Sequence, residues 1–257
     1  KADNTNLDWK ASVTAESEKG QSSISYLYPS LFYRDSENPN GVIVDGKSWY
    51  APCYDAVGYF LDPRNFLTEK NIFMFENYKT NTGINAEDYK RAADKVFNNN
   101  FLVQNIPSLT EFIKNSSLNI GVSQMAISSR IKQELGSAKL TSGTYSGKLY
   151  SCVSGNYTTR YGYLYNGASL DNYYNFFNIN AYGSSKEAIV SNALNTAKEN
   201  GWDNPYSSII GGSSTISNGY NNVGQDTIYY QKFNTINSKN LYWNQYMANV
   251  RVLPTEA

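Results

Sequence analysis

Apolar residues in the C-terminal two-thirds of the chain recur every three to four positions. The recurrence breaks once, between residues 142 and 165, where the spacing falls to two. That switch of period limits the fold more than any other feature. It predicts an α+β molecule, mainly helical, with a small β-hairpin lobe inserted between helices. In the insertion, Leu149, Ser151 and Val153 alternate with Tyr150, Cys152 and Ser154; a Gly155-Asn156 turn follows, then Tyr157, Thr159, Tyr161 and Tyr163. This reads as a hairpin with one aromatic face.

The helices carry their own punctuation. Asn85 is placed to cap a helix burying Tyr89, Ala92, Ala93, Val96 and Phe97. Ser108 and Glu111 have capping-box spacing, as do Ser184 and Glu187. Ser123 opens a helix whose apolar positions run through Met125, Ile127, Ile131 and Leu135 to a stop at Gly136. The helix after Ser184 stops at Gly201, Pro205 opens a shorter one, and residues 241–250 are expected to form the last. Residues 1–25 are polar and read as an irregular leader. Loops and a small hairpin at 42–50 follow, then a helix entry at Asp62-Pro63 and an apolar stretch Ile72-Phe73-Met74-Phe75. The expected organisation is an irregular segment, 1–60, packed on a body, 61–257, whose β lobe spans about 142–170.

Composition removes whole classes of chemistry. The 257 residues include no histidine, which excludes Ser-His-Asp and Cys-His catalysis, an imidazole base and His-ligated zinc. Two cysteines, Cys53 and Cys152, cannot build a Cys-rich zinc site; a disulfide and two separate thiols both stay open. No metal or cofactor is expected. Lys+Arg and Asp+Glu are 22 each, which argues against nucleic acid as a partner, and no apolar run nears the ~20 residues of a membrane helix. The start, Lys1-Ala2-Asp3-Asn4, has no apolar core, so the chain reads as cytosolic or as the mature or excised part of a secreted protein. Only 17% of residues are charged while 23 are tyrosine. Such a neutral, aromatic surface suits sugars; A+T-rich coding would produce it too.

With histidine absent, carboxylates are the natural proton-transfer groups. Beyond Glu111 these are Glu134, Asp171, Glu187, Glu199, Asp203, Asp226 and Glu256. Glu134 stands apart because it ends an apolar helix, where the negative end of the macrodipole favours the neutral carboxylic acid. An acid in that state is what a glycosidase uses to protonate a leaving oxygen. A surface ion pair with Arg130, four residues earlier, is the plainer reading. In residues 175–183, Asn175, Asn178 and Asn180 each offer a donor and an acceptor to sugar hydroxyl or acetamido groups, while Phe176, Phe177 and Ile179 read as core.

Several ordered blocks carry a resemblance. They are Asp62-Pro63-Arg64-Asn65-Phe66-Leu67 with Phe73-Met74-Phe75-Glu76; Ser128-Ser129-Arg130-Ile131-Lys132-Gln133-Glu134; residues 175–183, ending Ala181-Tyr182-Gly183; Gly201-Trp202; Ile210-Gly211-Gly212; and residues 224–234, from Gly224-Gln225-Asp226 to Phe233-Asn234. Together they resemble the lysozyme superfamily, and within it the peptidoglycan N-acetylglucosaminidases of glycoside hydrolase family 73, nearest to autolysin-type catalytic domains of Gram-positive bacteria, clostridia included. The resemblance implies a lysozyme-like body with a glycan cleft against the β lobe. It implies Glu134 as general acid and Tyr182 beside the scissile bond, with Gln225 and Tyr229 facing substrate. It further implies secretion to the cell wall, peptidoglycan strands as partner, and a monomeric catalytic domain of a larger protein with wall-binding repeats. A wall of the cleft is expected from Tyr161 and its hairpin neighbours. Residues 137–170 hold no Asp or Glu, so a second carboxylate in the lobe is missing. Asp171 is the nearest candidate; the substrate's own acetamido oxygen is the other. A muramidase or lytic transglycosylase, or an inactive glycan-binding module, are the alternatives.

Overall fold

The structure, a computed structural model, describes residues 5–18, 20–79, 83–97, 108–135, 164–165, 168–169 and 173–256. It is α+β and mainly helical, and the chain divides into two compact units. One combines residues 1–77 with 219–257; the other is 78–218. Among the described residues no helix is long and apolar enough to cross a membrane.

In the first unit, helix α1 (Trp9–Glu16) is capped by Asp8, whose Oδ1 accepts the Ala11 N–H at 2.7 Å. It stands where the polar sequence suggests an irregular leader; the sequence hides it because its buried face is Ser12, Val13 and Glu16. Strands β1 (Ile24–Ser25), β2 (Ile43–Asp45) and β3 (Trp49–Tyr50) form a small antiparallel sheet in the order β1-β3-β2, which includes the expected hairpin. Phe32 stacks on Tyr50 with ring centroids 4.1 Å apart. Helix α2 (Tyr54–Leu61) follows, in a stretch read as loop, and buries Ala56, Val57, Phe60 and Leu61. Val13, Phe66, Met74 and Phe233 complete a core with them.

In the second unit, helices form where the apolar spacing predicts them. Helix α3 (Ala86–Phe97) is capped by Asn85, which accepts the Asp88 N–H at 2.8 Å. It buries Tyr89, Ala93 and Phe97 and packs on the later helix α5. Helix α4 (Leu109–Ile120) is present, but Ser108 does not act as the expected cap. Its φ is 56° and its side chain makes no capping bond, because a left-handed backbone turns the hydroxyl away from the first-turn N–H groups. Helix α5 (Gln124–Leu135) buries Ile127 and Ile131, and its Ser128 hydroxyl meets the Tyr89 hydroxyl at 3.0 Å. Burial raises the Tyr89 phenol to about 12. Strands β4 (Leu164–Tyr165) and β5 (Ala168–Ser169) pair antiparallel. The rest of the expected lobe, with the Gly155 turn and the Gly136 stop, lies outside the described residues, as does Cys152. Cys53 is a half-buried free thiol.

Helix α6 (Lys186–Glu199) is capped by Ser185, one residue after the position expected, and ends before Gly201. Helix α7 (Pro205–Gly219) is longer than its short apolar signal suggests. Two adjacent glycines explain how it packs. A Cβ on Gly211 would lie 1.9 Å from Trp202 Nε1, and one on Gly212 would lie 2.1 Å from Phe177 Cδ2. The helix backbone is thus the floor on which both aromatic rings rest. Gly212→Ala is expected to lower stability by about 1–3 kcal/mol through overpacking. A urea midpoint unchanged from wild type would show that the ring has room the packing denies.

Two short helices, α8 (Ile228–Lys232) and α9 (Leu253–Glu256), belong to the first unit. The last helix expected, at 241–250, does not form. Tyr242 and Asn244 have φ of 65° and 60°, which interrupt any helix there. Side-chain amides claim the carbonyls that a helix would use: Asn234 Nδ2 donates to Asn240 O and Trp243 O, and Gln225 Nε2 to Asn244 O.

Candidate active site

The candidate site grows from the C-terminal end of α5. Its last turn leaves carbonyls without helical partners. One of them, Glu134 O, accepts a hydrogen bond from Asn178 Nδ2 at 3.1 Å. The same nitrogen donates to Glu134 Oε2, also at 3.1 Å. A backbone carbonyl can only accept, so the amide's orientation is settled by that contact. Asn178 therefore fixes both the end of the helix and the side chain carried there. Glu134 is half-buried, and its Oε2 is held by the Asn178 amide N–H.

The loop that presents Asn178 is built by another asparagine. Asn175, 0% exposed, donates from Nδ2 to Ile179 O at 2.7 Å and to Ala193 O at 3.1 Å; its Oδ1 accepts Ile179 N–H at 3.0 Å. Its amide is committed to the backbone of the loop and of α6. Asn178 and Asn180 then adopt φ of 51° and 59°, a left-handed region that asparagine tolerates better than most residues. Phe176 and Phe177 are buried as expected, and Phe176 N–H donates to Ser208 Oγ of α7 at 3.1 Å.

Asn180 is exposed and donates to Thr196 Oγ1 at 3.2 Å. Tyr182 is 67% exposed, and its carbonyl accepts from Asn192 Nδ2 at 2.8 Å. Gly183 follows because a Cβ there would lie 2.7 Å from Ala188 Cβ, in the first turn of α6. A buried amide, a left-handed pair and a glycine contact thus hold one loop, with Asn178 turned to Glu134 and Tyr182 turned outward.

Two residues read from sequence as facing substrate are buried in the other unit. Gln225 is 0% exposed; Nε2 donates to Tyr230 O and Asn244 O, both at 2.9 Å, and Oε1 accepts from Asn244 Nδ2 at 2.8 Å. Tyr229 donates its hydroxyl to Leu61 O at 2.6 Å, and burial pushes its phenol well above the ordinary tyrosine range. Both tie backbone segments together. Asp171 and Tyr161 lie outside the described residues. Trp202 is buried as a packing anchor, while Trp243 is exposed. Asn192 and Thr196 escaped the sequence reading. They sit on α6 at i, i+4 spacing, on the side that faces the loop, and that spacing is the signal by which they could have been found. Among the described residues, no cluster of His, Cys, Asp or Glu could hold a metal ion.

No protein-family model matches the chain, and no curated protein matches it. The fold does recur among solved structures. S. aureus glucosaminidase B matches with a TM-score of 0.59 at 19% identity, over 97% of this chain and 81% of that one. S. aureus autolysin E matches with a TM-score of 0.59 at 16% identity, over 100% and 89%. A catalytic glutamate-to-alanine mutant of autolysin E, in complex with the disaccharide NAG-NAM, matches with a TM-score of 0.55 at 16% identity, over 99% and 89%. The likeness is one of fold: the described residues share the mainly helical, lysozyme-like α+β fold of these domains.

Proposed function

We propose that this chain is an endo-β-N-acetylglucosaminidase that hydrolyses the GlcNAc-β-1,4-MurNAc bond of peptidoglycan, with Glu134 as general acid. What carries the reading is the carboxyl at the end of α5, oriented by Asn178, in a chain that matches a glucosaminidase structure over 97% of its length. The catalytic autolysin E variant bound to NAG-NAM lacks a glutamate, which supports a glutamate as the acid here.

Hydrolysis needs a proton for the departing oxygen and a nucleophile for the anomeric carbon. Glu134 supplies the first. For the second we favour the acetamido oxygen of the GlcNAc ring itself. It attacks the anomeric carbon as the glycosidic bond breaks, and Glu134 gives its proton to the leaving sugar. Water then opens the bicyclic intermediate, returning a proton to the Glu134 carboxylate and restoring the β configuration. Tyr182 stands beside the acetamido group and orients it. Asn180 binds the glycan; Asn178 acts through Glu134. The lack of any Asp or Glu in 137–170 supports the acetamido route over a second carboxylate. The protein acts outside the cell, at the wall, as a monomeric catalytic domain of a larger protein with wall-binding repeats.

Product analysis tests the specificity. Digests of purified peptidoglycan, reduced with borohydride and sized by mass spectrometry, are expected to show new reducing ends on GlcNAc. New ends on MurNAc would assign the opposite bond, and anhydro-MurNAc would make the enzyme a transglycosylase.

A further inference from the structure

The first unit carries a groove that the catalytic reading does not use. It encloses about 230 Å³ and is lined by Trp9, Ser12, Leu61, Pro63, Tyr230 and Thr235, among others. Among the described residues, no lining residue is an acid, a lysine or an arginine. Its described lining combines apolar side chains with hydroxyl-bearing ones, which suits a ligand that is polar, neutral and flat-faced.

Trp9 gives the groove its character. It opens α1, whose start is fixed by the Asp8 cap, and its ring edge rests on α2 at Gly58, where Cζ2 would touch an added Cβ at 3.8 Å. The indole is anchored along that edge yet remains 48% exposed. One turn further along α1, Ser12 is locked by its own bonds to Asp8 O at 2.8 Å and Tyr242 OH at 3.0 Å. Leu61 and Tyr54 lie on the same stripe of α2 as Gly58, at i+3 and i−4, and Tyr54 is 41% exposed. The aromatic surface therefore continues past the groove along one helix face. A half-exposed indole packed on α2, with Tyr230 and Thr235 in the same lining and Tyr54 on the same helix face, is a platform for the C–H face of a pyranose ring.

We infer that this groove is a saccharide subsite, taking a neutral stretch of β-1,4-linked N-acetylated glycan with Trp9 as its stacking platform. The choice of glycan rests on the proposed activity; the groove itself does not. Glu134→Gln protein, which would bind without cleaving, is titrated with chitotetraose while the indole N–H signals of its four tryptophans are followed by NMR. Trp9→Phe assigns the Trp9 signal and controls for folding. That signal is expected to shift saturably, and Trp9→Ala to weaken tetramer binding at this site by about tenfold. A Trp9 signal that stays still while others move overturns the subsite, and so does an equal response to maltotetraose, which has no acetamido groups. Wild-type digestion of peptidoglycan is scored separately. Lysis with a silent Trp9 would sink the groove alone, and a responsive Trp9 without lysis would sink the catalytic reading alone.

Discussion

Glu134→Gln is expected to lower turnover on peptidoglycan by about 10²–10⁴-fold, the range for loss of a positioned general acid. The substitution keeps the size of the side chain and an oxygen to accept the Asn178 N–H, so the end of α5 stays tied to its loop. Only the transferable proton is lost. The defect should therefore fall on kcat, with the unfolding midpoint unmoved. Asn178→Ala separates position from chemistry. It leaves the proton in place but frees the carboxyl that carries it, so kcat should fall by about 10-fold or more with little change in KM. Asp171→Asn reports on the nucleophile: unchanged turnover fits attack by the acetamido oxygen, and a loss equal to that of Glu134→Gln would require a carboxylate there. Equal clearing of cell walls by wild type and Glu134→Gln would remove Glu134 from the reaction.

How much of this the sequence reveals depends on where each side chain's partner lies. Helices α3, α5 and α6 are legible because their apolar spacing and their caps point the same way. Helices α1 and α2 are not. The first buries serine and glutamate, and the second lies among turn residues and aromatics that read as loop. The region 241–250 carries helical spacing without a helix, since distant amides from Asn234 and Gln225 decide its backbone. The same holds at the site. Glu134 stands out as a candidate in the sequence because a carboxylate at a helix end is locally unfavourable. Asn175, Gln225 and Tyr229 have the chemistry of sugar ligands, but the structure spends it on backbone groups in the interior. Residue type reveals what a side chain can bond to, and only the fold reveals what it does bond to. Asn178 is offered by the sequence only as a sugar ligand; its task of holding Glu134 depends on a left-handed backbone that no pattern encodes.

Lys232→Met is expected to destabilise the protein by about 3–5 kcal/mol, because it strands a carboxylate in the core of the first unit. Lys232 and Glu16 are both fully buried, with Lys232 Nζ 3.6 Å from Glu16 Oε2. Ser22 and Gln245 complete the cluster: Nζ donates to Ser22 Oγ at 3.1 Å and to Gln245 Oε1 at 2.7 Å, while Gln245 Nε2 donates to Glu16 Oε2 at 2.7 Å. Among the described residues Glu16 Oε1 is buried with no hydrogen-bond partner, so that carboxylate depends on the lysine charge. The double variant Glu16→Gln/Lys232→Met should recover much of the loss, and the surplus in the double-mutant cycle measures the pair. Burial holds the Glu16 carboxyl above its ordinary range, opposed by the Lys232 charge, and brings the Lys232 ammonium down to about 8, opposed by Glu16. Between pH about 8 and the ordinary lysine value of ~10.4, the unfolded chain keeps a proton that the folded chain has released, so this pair makes stability rise with pH there. Just above the ordinary glutamate value the folded chain keeps the proton, and stability falls with rising pH. Urea unfolding from pH 7.5 to 10.5 should show the alkaline rise in wild type and its disappearance in Lys232→Met. A flat wild-type profile, or a single variant within about 1 kcal/mol of wild type, would mean that water reaches this cluster and that the pair is not the electrostatic centre of the unit.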